Sequence, residues 1–203
     1  VASQLGVRPA PAENQTDGRH IIRVRDSAES PWRDLLSAPN DDTLVPADFS
    51  ADGKSLFVET SFGTDTSRLV RVDLGTGKEE VLATDPRCDL GVVLVHPERH
   101  VVEAAGFNYT RLEWKVLDKS VQDDFARLTK ARDGDFSVID RDRADTTWIV
   151  RYTLDDGPIA YDAWDRTAKK STFLFVTQPA LAKVTLAKME PVVIKARDGL
   201  PLV

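Results

Sequence analysis

A repeated strand–turn–strand pattern constrains this chain of 203 residues more than any other feature of its sequence. In each copy an apolar run ends at an aspartate, and a polar turn leads into a second run rich in Leu, Val or Phe. The aspartates recur at intervals of 47, 45 and 47 residues, as Asp26, Asp73, Asp118 and Asp165. So regular a spacing indicates one supersecondary unit that is repeated along the chain. We expect each aspartate to order its turn by accepting hydrogen bonds from backbone N–H groups.

A second element recurs in phase with the first, and it adds another turn and strand to each unit. Its copies cover residues 48–61, 94–106 and 138–153. Asp52-Gly53 in the first copy is a strong signal for a tight turn, because glycine tolerates a positive φ. Each unit therefore predicts three or four short antiparallel strands. Units of this kind at 40 to 50 residues are typical of β-propeller blades, since one blade cannot bury both of its sheet faces alone.

The sequence thus predicts an all-β fold, a partial β-propeller of about four blades in the manner of WD40 or TolB propellers. Two segments have mild helical spacing, PWRDLLSA (31–38) and VQDDFARLTKA (121–131). The repeat places both in strand–turn–strand positions, and we give the repeat precedence. We expect a loop or arm over residues 1–18, the partial propeller over 19–184 and a separate segment over 185–203.

Composition excludes several classes of function. The formal net charge of −6 argues against nucleic acid as a partner, because phosphate binding requires a basic surface. No apolar run approaches the roughly 20 residues needed to span a bilayer, so we expect no membrane partner. The single cysteine, Cys88, excludes an intrachain disulfide and a cysteine-based zinc site. A small buried side chain is the favoured interpretation of Cys88, and a nucleophile is the alternative.

The residues that carry chemistry elsewhere do not form a recognisable site here. The sequence holds no Gly-x-Ser-x-Gly elbow, phosphate-binding glycine loop or HExxH motif. We expect His96 and His100 to be solvated turn residues rather than a metal pair, and His20 to lie exposed on a strand. Adjacent carboxylates point to opposite faces of a strand, so a sequential pair does not by itself build a general acid/base site. We expect solvated turns at the four sequential pairs: 41–42, 79–80, 123–124 and 155–156.

The tryptophans fall on predicted strands, where packing between blades explains them better than a carbohydrate platform: Trp32, Trp114, Trp148 and Trp164. The sequence therefore predicts no catalytic residue, no cofactor and no metal ligand in this chain.

The end of the chain resembles a known junction. LAKVTLAKMEPVVIKARDGLPLV (181–203) is similar to the segment that leads from β-propeller to α/β-hydrolase domain in prolyl-oligopeptidase-family (S9) serine peptidases. The matching residues follow a pattern M-x-P-V-x-[IV]-x-[AS]-R-D-G-L between Met189 and Leu200. FSADGKSLFVETS and RVDLGTGKEEVL resemble the propellers of the acylaminoacyl-peptidase and dipeptidyl-peptidase-like branch.

This resemblance implies an N-terminal propeller portion that ends at the first strand of a missing hydrolase domain. The family's Ser-Asp-His triad would lie C-terminal to the junction, so the chain alone would be inert. The resemblance implies a gate that excludes large folded proteins, with the hydrolase domain and peptide substrates as partners. Some members hold a substrate's N-terminus with paired glutamates, but Glu79-Glu80 lacks that motif's aromatic context.

A non-enzymatic interaction module of the TolB or WD40 kind remains the alternative. In either case open blade edges would favour self-association.

Overall fold

The computed structural model describes residues 10–13, by their backbone, and residues 18–203. Among these residues the chain forms four antiparallel sheets and a terminal hairpin. Sheet 1 has three strands: β1 (Ala10–Glu13), β2 (His20–Val24) and β3 (Arg33–Ala38). Sheet 2 has four: β4 (Leu44–Phe49), β5 (Ser55–Thr60), β6 (Arg68–Asp73) and β7 (Glu79–Ala83).

The later elements continue this pattern, with one exception. Sheet 3 has three strands: β8 (Leu90–Val95), β9 (Val102–Asn108) and β10 (Leu112–Val116). The helix α1 (Gln122–Ala131) follows a short 3-10 turn. Sheet 4 has four strands: β11 (Asp135–Arg141), β12 (Thr147–Thr153), β13 (Ala160–Asp165) and β14 (Lys170–Val176). The terminal hairpin pairs β15 (Ile194–Lys195) with β16 (Pro201–Leu202).

The chain divides into two compact units. Residues up to 108, together with 113–118, form the first unit, which contains sheets 1 to 3. Residues 109–112 and 119–203 form the second, which contains α1, sheet 4 and the terminal hairpin. No helix among the described residues is long and apolar enough to cross a membrane.

In the first unit, sheet 2 is buried on both faces. Leu56 and Val58 point to one side of β5 and pack with Ile22 and Val24 of sheet 1. Phe57 points to the other side and packs with residues of sheet 3, namely Leu90, Val102, Ala105 and Phe107. Because alternate residues of a strand face opposite ways, two apolar faces in one strand require a neighbour on each side. This mutual covering of consecutive sheets is what the repeat predicts.

In the second unit, α1 covers one face of sheet 4. The Phe125 ring lies edge-on to Phe136 and to Trp148, with ring centroids 5.1 and 6.2 Å apart respectively. The Tyr152 hydroxyl donates to the backbone oxygen of Leu128 at 3.3 Å. The rings of α1 and sheet 4 therefore form one apolar layer.

The helix α1 corrects the prediction that residues 121–131 form part of a strand–turn–strand unit. Val121, Phe125 and Leu128 are buried at a spacing of four and three, which places them on one face of a helix. The acidic residues of the first turn and Lys130 in the last suit the helix dipole. Local helical periodicity therefore outweighs the repeat at this point.

The hairpin turns confirm half of the prediction for the repeated aspartates. Asp73 accepts from the backbone N–H groups of Gly75 and Thr76, and Asp165 from those of Thr167 and Ala168. Gly77 has a φ of +71°, and the Asp52-Gly53 turn is also present, with a φ of +67° at Gly53.

Asp26 and Asp118 differ from that prediction. Asp26 forms an ion pair with Arg33, and Asp118 forms one with Arg99. The chain continues from Asp118 into a 3-10 turn and α1, not into a hairpin.

Two further segments adopt strand structure. PWRDLLSA contributes β3, as the repeat predicts. The predicted loop over 1–18 contains β1, which pairs with β2, while residues 1–9 and 14–17 lie outside the described residues. The segment 185–203 is mostly exposed, and in its Asp-Gly turn the Leu200 N–H donates a hydrogen bond to Asp198.

Candidate functional site

The histidines are held by structural contacts. His96 is buried, and its Nδ1 accepts hydrogen bonds from the backbone N–H groups of Glu98 and Arg99 at 3.2 and 3.0 Å. The prediction of a solvated turn residue is therefore wrong for His96, although the turn itself is present. His100 Nδ1 lies 2.9 Å from Asp48 Oδ2, and His20 Nε2 lies 3.1 Å from the Asn40 oxygen. His20 is partly buried in β2, which lies between β1 and β3.

Cys88 is a free thiol beside the cluster that joins sheets 2 and 3. Burial, reinforced by the nearby Asp85 carboxylate, raises the pKa of the Cys88 thiol. Asp85 itself accepts from Arg87, and these hydrogen bonds lower the pKa of the Asp85 carboxyl. A thiol with a raised pKa is a poor nucleophile, which agrees with a packing role.

One of the sequential carboxylate pairs holds the most deeply buried acid of the second unit. Asp124, fully buried on α1, accepts from Trp164 Nε1 at 2.9 Å, Arg166 Nε at 3.0 Å and Lys169 Nζ at 2.6 Å. Burial acts to raise the pKa of Asp124, but the hydrogen bonds from Lys169, Trp164 and Arg166 together outweigh it and lower the pKa. The prediction of a solvated turn for residues 123–124 is therefore wrong.

This arrangement keeps Asp124 ionised and attaches α1 to the β13–β14 turn. A carboxylate held by two cations is a poor proton donor or acceptor near neutral pH. Lys169 reaches Asp124 from a left-handed backbone conformation, with a φ of +53°. Arg166 lies over the Trp148 ring, 4.4 Å from its centroid, and also contacts Asp145. The cluster is a structural clamp.

Two more buried carboxylates of the second unit are paired with arginines. Asp162 accepts from Arg132 at 2.7 Å and from the Ser171 hydroxyl at 2.7 Å. Asp155 accepts from Arg111 at 3.2 Å, and its side chain is buried, in contrast to the predicted solvated turn. Sequence reasoning missed these acids because their arginine partners lie 30 and 44 residues away along the chain.

The paired glutamates of the β6–β7 hairpin, in the first unit, lie nearer to solvent. Glu80 pairs with Arg71 across the β6–β7 hairpin, and Glu79 lies 3.7 Å from Arg68. A cleft of about 400 Å³ adjoins this hairpin and is lined in part by Arg71, Asp73 and Glu80. Each of these three side chains already has a partner, so none of the three is an activated group.

The tryptophans divide between core and surface. Trp148 and Trp164 are buried, which confirms core packing for these two. Trp114 is partly buried in β10. Trp32 is 44% exposed and lies beneath the Arg25 guanidinium, 4.8 Å from it, so the core prediction is wrong there.

The remaining candidate for a functional surface is the second face of sheet 4. Strand alternation places five residues on the side away from α1: Ile149, Arg151, Tyr161, Ala163 and Phe175. None of these five side chains is fully buried, whereas the opposite face of β12 is. The rings of Tyr161 and Phe175 stack with centroids 4.8 Å apart. We call this surface the Ile149 face.

In comparison with known proteins, this chain is similar to segments of two peptidases. No protein-family model matches it. Dipeptidyl aminopeptidase BIII of Pseudoxanthomonas mexicana is 35% identical over 182 residues, which cover 89% of this chain and 26% of that protein. Dipeptidyl peptidase family member 6 of Caenorhabditis elegans is 26% identical over 211 residues, which cover 98% of this chain and 28% of that protein. The chain therefore spans about a quarter of the length of these curated relatives.

Solved structures with low sequence identity show the fold. A puromycin-hydrolyzing peptidase of Mycobacterium tuberculosis matches 97% of this chain and 31% of its own, with a TM-score of 0.63 and 13% identity. Prolyl oligopeptidase B from Galerina marginata matches 97% and 28%, with a TM-score of 0.57 and 13% identity. TolB from Acinetobacter baumannii matches 96% and 45%, with a TM-score of 0.52 and 16% identity. The predicted all-β propeller fold is confirmed.

Proposed function

Because the homologues of this chain are dipeptidyl aminopeptidase and prolyl oligopeptidase family (S9) peptidases, we propose that it is the propeller part of a serine peptidase that cleaves short peptides. The observation that carries the proposal is the 35% identity to dipeptidyl aminopeptidase BIII across 89% of this chain. The junction-like segment between Met189 and Leu200 also supports it, because it follows the last sheet.

In this proposal the chain is catalytically inert and limits which substrates reach the active site. The buried acids support a scaffold role, since Asp124, Asp155 and Asp162 are each held by a cation. The triad would belong to an α/β-hydrolase domain that follows residues 185–203. A propeller over such a domain would admit short peptides and exclude folded proteins.

The segment after sheet 4 offers a surface for that hydrolase domain. Its large apolar side chains are exposed, among them Met189, Val192, Ile194 and Leu202. Exposed apolar residues in succession mark a surface that a partner covers. The ion pair of Lys188 with Asp133 ties the segment to the rest of the second unit.

An activity assay tests the proposal. The parent protein, expressed from the gene that continues past Val203, and this chain alone are each assayed on dipeptidyl and acylated chromogenic substrates. Both are also treated with a serine-reactive fluorophosphonate probe. We expect hydrolysis and labelling by the parent and neither by the chain. Labelling of the chain would refute its inertness, and an unreactive parent would refute the peptidase assignment.

The second candidate is a non-enzymatic interaction module, which the match to TolB favours. The residues that follow Val203 in the gene discriminate between the two. A hydrolase domain with a Gly-x-Ser-x-Gly elbow supports the peptidase. Further propeller repeats without that elbow support the interaction module.

Self-association of the isolated chain is a further part of the proposal. The outer strand β14 exposes Phe173, Leu174 and Phe175, and an exposed apolar edge favours pairing with another chain. We expect the weight-average mass in light scattering to rise with concentration. A strictly monomeric chain at millimolar concentration would contradict this.

A further inference from the structure

The last strands of the four sheets differ in charge. Each of them, β3, β7, β10 and β14, forms an edge of its sheet among the described residues. Charges on an edge strand discourage pairing with other chains. Three of these strands carry such charges: Arg33 and Asp34 in β3, Glu79 and Glu80 in β7, and Glu113 and Lys115 in β10. In β14 only Lys170, at its start, is charged, and residues 171–176 are all neutral.

Apolar side chains flank the edge at β14 on both faces of sheet 4. Phe175 lies on the Ile149 face, stacked on Tyr161. Phe173 lies on the opposite face, with its ring centroid 5.5 Å from the Arg132 guanidinium. Phe173 and Phe175 are 54% and 53% exposed, and Leu174, which the register with β13 skips, is 42% exposed. A partner on either face would cover one ring, whereas a strand paired along β14 would lie against both.

Sheets 2 and 4 share one plan, in which the last strand remains an edge. Both have four strands in chain order, and in both the register shifts at an equivalent point between the third and fourth strands. On this alignment Ile149 is the counterpart of Phe57, Arg151 of Glu59, and β14 of β7. Sheet 2 is packed on both faces, yet β7 pairs with no further strand among the described residues. Packing between sheets covers faces and not edges, so a strand that pairs with β14 comes from another molecule.

A second copy of β14 fits this edge. Two identical edges that pair antiparallel about a twofold axis satisfy each other through one self-complementary contact. With the axis at Phe173, the middle residue of β14, Thr172 of each copy faces Leu174 of the other. The two Lys170 side chains then lie at opposite ends, about 20 Å apart, because an extended strand rises about 3.4 Å per residue. Like charges are therefore kept apart while apolar residues meet.

We propose that β14 is a dimerisation edge of the parent protein, where it pairs antiparallel with β14 of a second copy and joins the two copies of sheet 4 into one continuous sheet. The inference rests on the proposed function only in requiring a parent longer than this chain. It goes beyond the self-association of the isolated chain, because packing on the faces of sheet 4 leaves the edge of β14 open.

Site-directed crosslinking of the parent tests the proposal. Leu174→Cys is introduced into a Cys88→Ser background, the protein is treated with a short bis-maleimide, and mass spectrometry locates the crosslinked residues. Because Leu174 is next to the twofold axis, we expect a covalent dimer joined through residue 174 of both copies. Val81→Cys is the matched control, since Val81 is 52% exposed on the counterpart strand β7 and should give no dimer. No crosslink between the two copies of residue 174 would refute the pairing.

A charge at the same position has its own measurement. Leu174→Lys brings two like charges together near the axis, so it should raise the dissociation constant of the parent dimer at least about tenfold in analytical ultracentrifugation. Val81→Lys should leave that constant within about twofold. Far-UV circular dichroism of both variants checks that the fold is unchanged. Equal effects of the two lysines would contradict a role for the β14 edge.

Other arrangements give different results, and each would overturn the proposal. If Ile149→Lys dissociates the dimer and Leu174→Lys does not, the copies meet through their Ile149 faces. If the parent is monomeric, slow maleimide labelling of Leu174→Cys shows that another part of the parent covers β14, and fast labelling shows that nothing does. A parent that hydrolyses no peptide but crosslinks through residue 174 would refute the proposed function and support the dimer. An active, monomeric parent would do the reverse.

Discussion

The strands β5 and β12 occupy the same position in their sheets, and they are buried differently. Leu56, Phe57 and Val58 are buried in succession along β5, whereas buried and partly exposed residues alternate along β12. Both strands pair with antiparallel neighbours in the same register. The difference shows that a strand's hydrogen bonding is set by its own hairpins, and its burial by the elements packed on each side.

The outer strands sharpen this contrast. β7 carries Glu79 and Glu80, which pair with arginines of β6, while β14 carries Phe173 and Phe175 at its centre. Charged side chains on an edge strand discourage pairing with other chains. The charged edge strand of sheet 2 therefore discourages pairing with another chain, whereas the edge strand of sheet 4 still exposes apolar side chains.

Equivalent truncations on the two sheets should have the most unequal effects. Phe57→Ala removes a ring buried between sheets 2 and 3, so we expect it to lower the free energy of unfolding of the first unit by about 3–5 kcal/mol. Ile149→Ala, at the counterpart position, should lower that of the second unit by about 1 kcal/mol or less, because the face is uncovered in this chain. Urea denaturation of both variants measures the difference. Equal losses would show that the Ile149 face is packed after all.

Removing the buried acid of the second unit should have the next largest effect. Asp124→Ala leaves Lys169 and Arg166 without their carboxylate, and we expect a loss of about 3 kcal/mol. Asp123→Ala is the matched control, since Asp123 is the exposed neighbour, with ion pairs to Arg127 and Lys169; it should change stability by about 0.5 kcal/mol or less. Thermal unfolding of both variants at neutral pH measures whether Asp124→Ala loses more stability than Asp123→Ala.

The same carboxylate predicts a pH dependence. The folded-state pKa of Asp124 is lowered. Its ionised form therefore adds to the stability of the fold above the ordinary pKa of an aspartate, and this stabilisation is lost as the pH falls through the lowered value. The stability of the wild type should therefore decrease below about pH 4, and Asp124→Asn should lack this part of the decrease. If the wild type and Asp124→Asn lost the same stability at low pH, the structural role proposed for the Asp124 carboxylate would be contradicted.

The β6–β7 and β13–β14 turns allow a smaller comparison. Gly77 takes a left-handed φ of +71° in the first, where Lys169 takes +53° in the second. A Cβ at Gly77 would meet no atom within 4 Å, so Gly77→Ala tests the backbone alone and should cost about 1–2 kcal/mol. Gly75→Ala, without a positive φ, should be close to neutral. Comparable losses for both glycines would show that the conformation is not the cause.

The smallest expected effect concerns Glu59, the counterpart of Arg151. Burial raises the pKa of Glu59, although the Ser67 hydroxyl donates to it. Its proton therefore stabilises the fold below the ordinary pKa of a glutamate, and this contribution is lost as the pH rises through the raised value. Glu59→Gln should raise stability at pH 7 by at most about 0.5 kcal/mol, because half-burial leaves solvent screening. A variant that is less stable at pH 7 would contradict this.

Local sequence patterns predicted the hairpins, whereas the burial of individual side chains depends on partners that are distant in sequence. The apolar runs and the Asp73 turn were sufficient for β6 and β7. The helix α1 was missed because the repeat was given precedence over a four-and-three spacing of apolar residues. The burial of Asp124 depends on residues 40 to 45 positions away, and no local pattern contains them.

The helix in the third repeat shows where an array of this kind accepts change. After β10 the chain forms α1 instead of a fourth strand, and sheet 4 still assembles in the order seen in sheet 2. The strand pairing within each repeat is set by its own inner hairpins. Replacing an outermost strand by a helix therefore does not disturb the strand pairing of the next sheet. Insertions or grafted peptides at the outer position should therefore be tolerated.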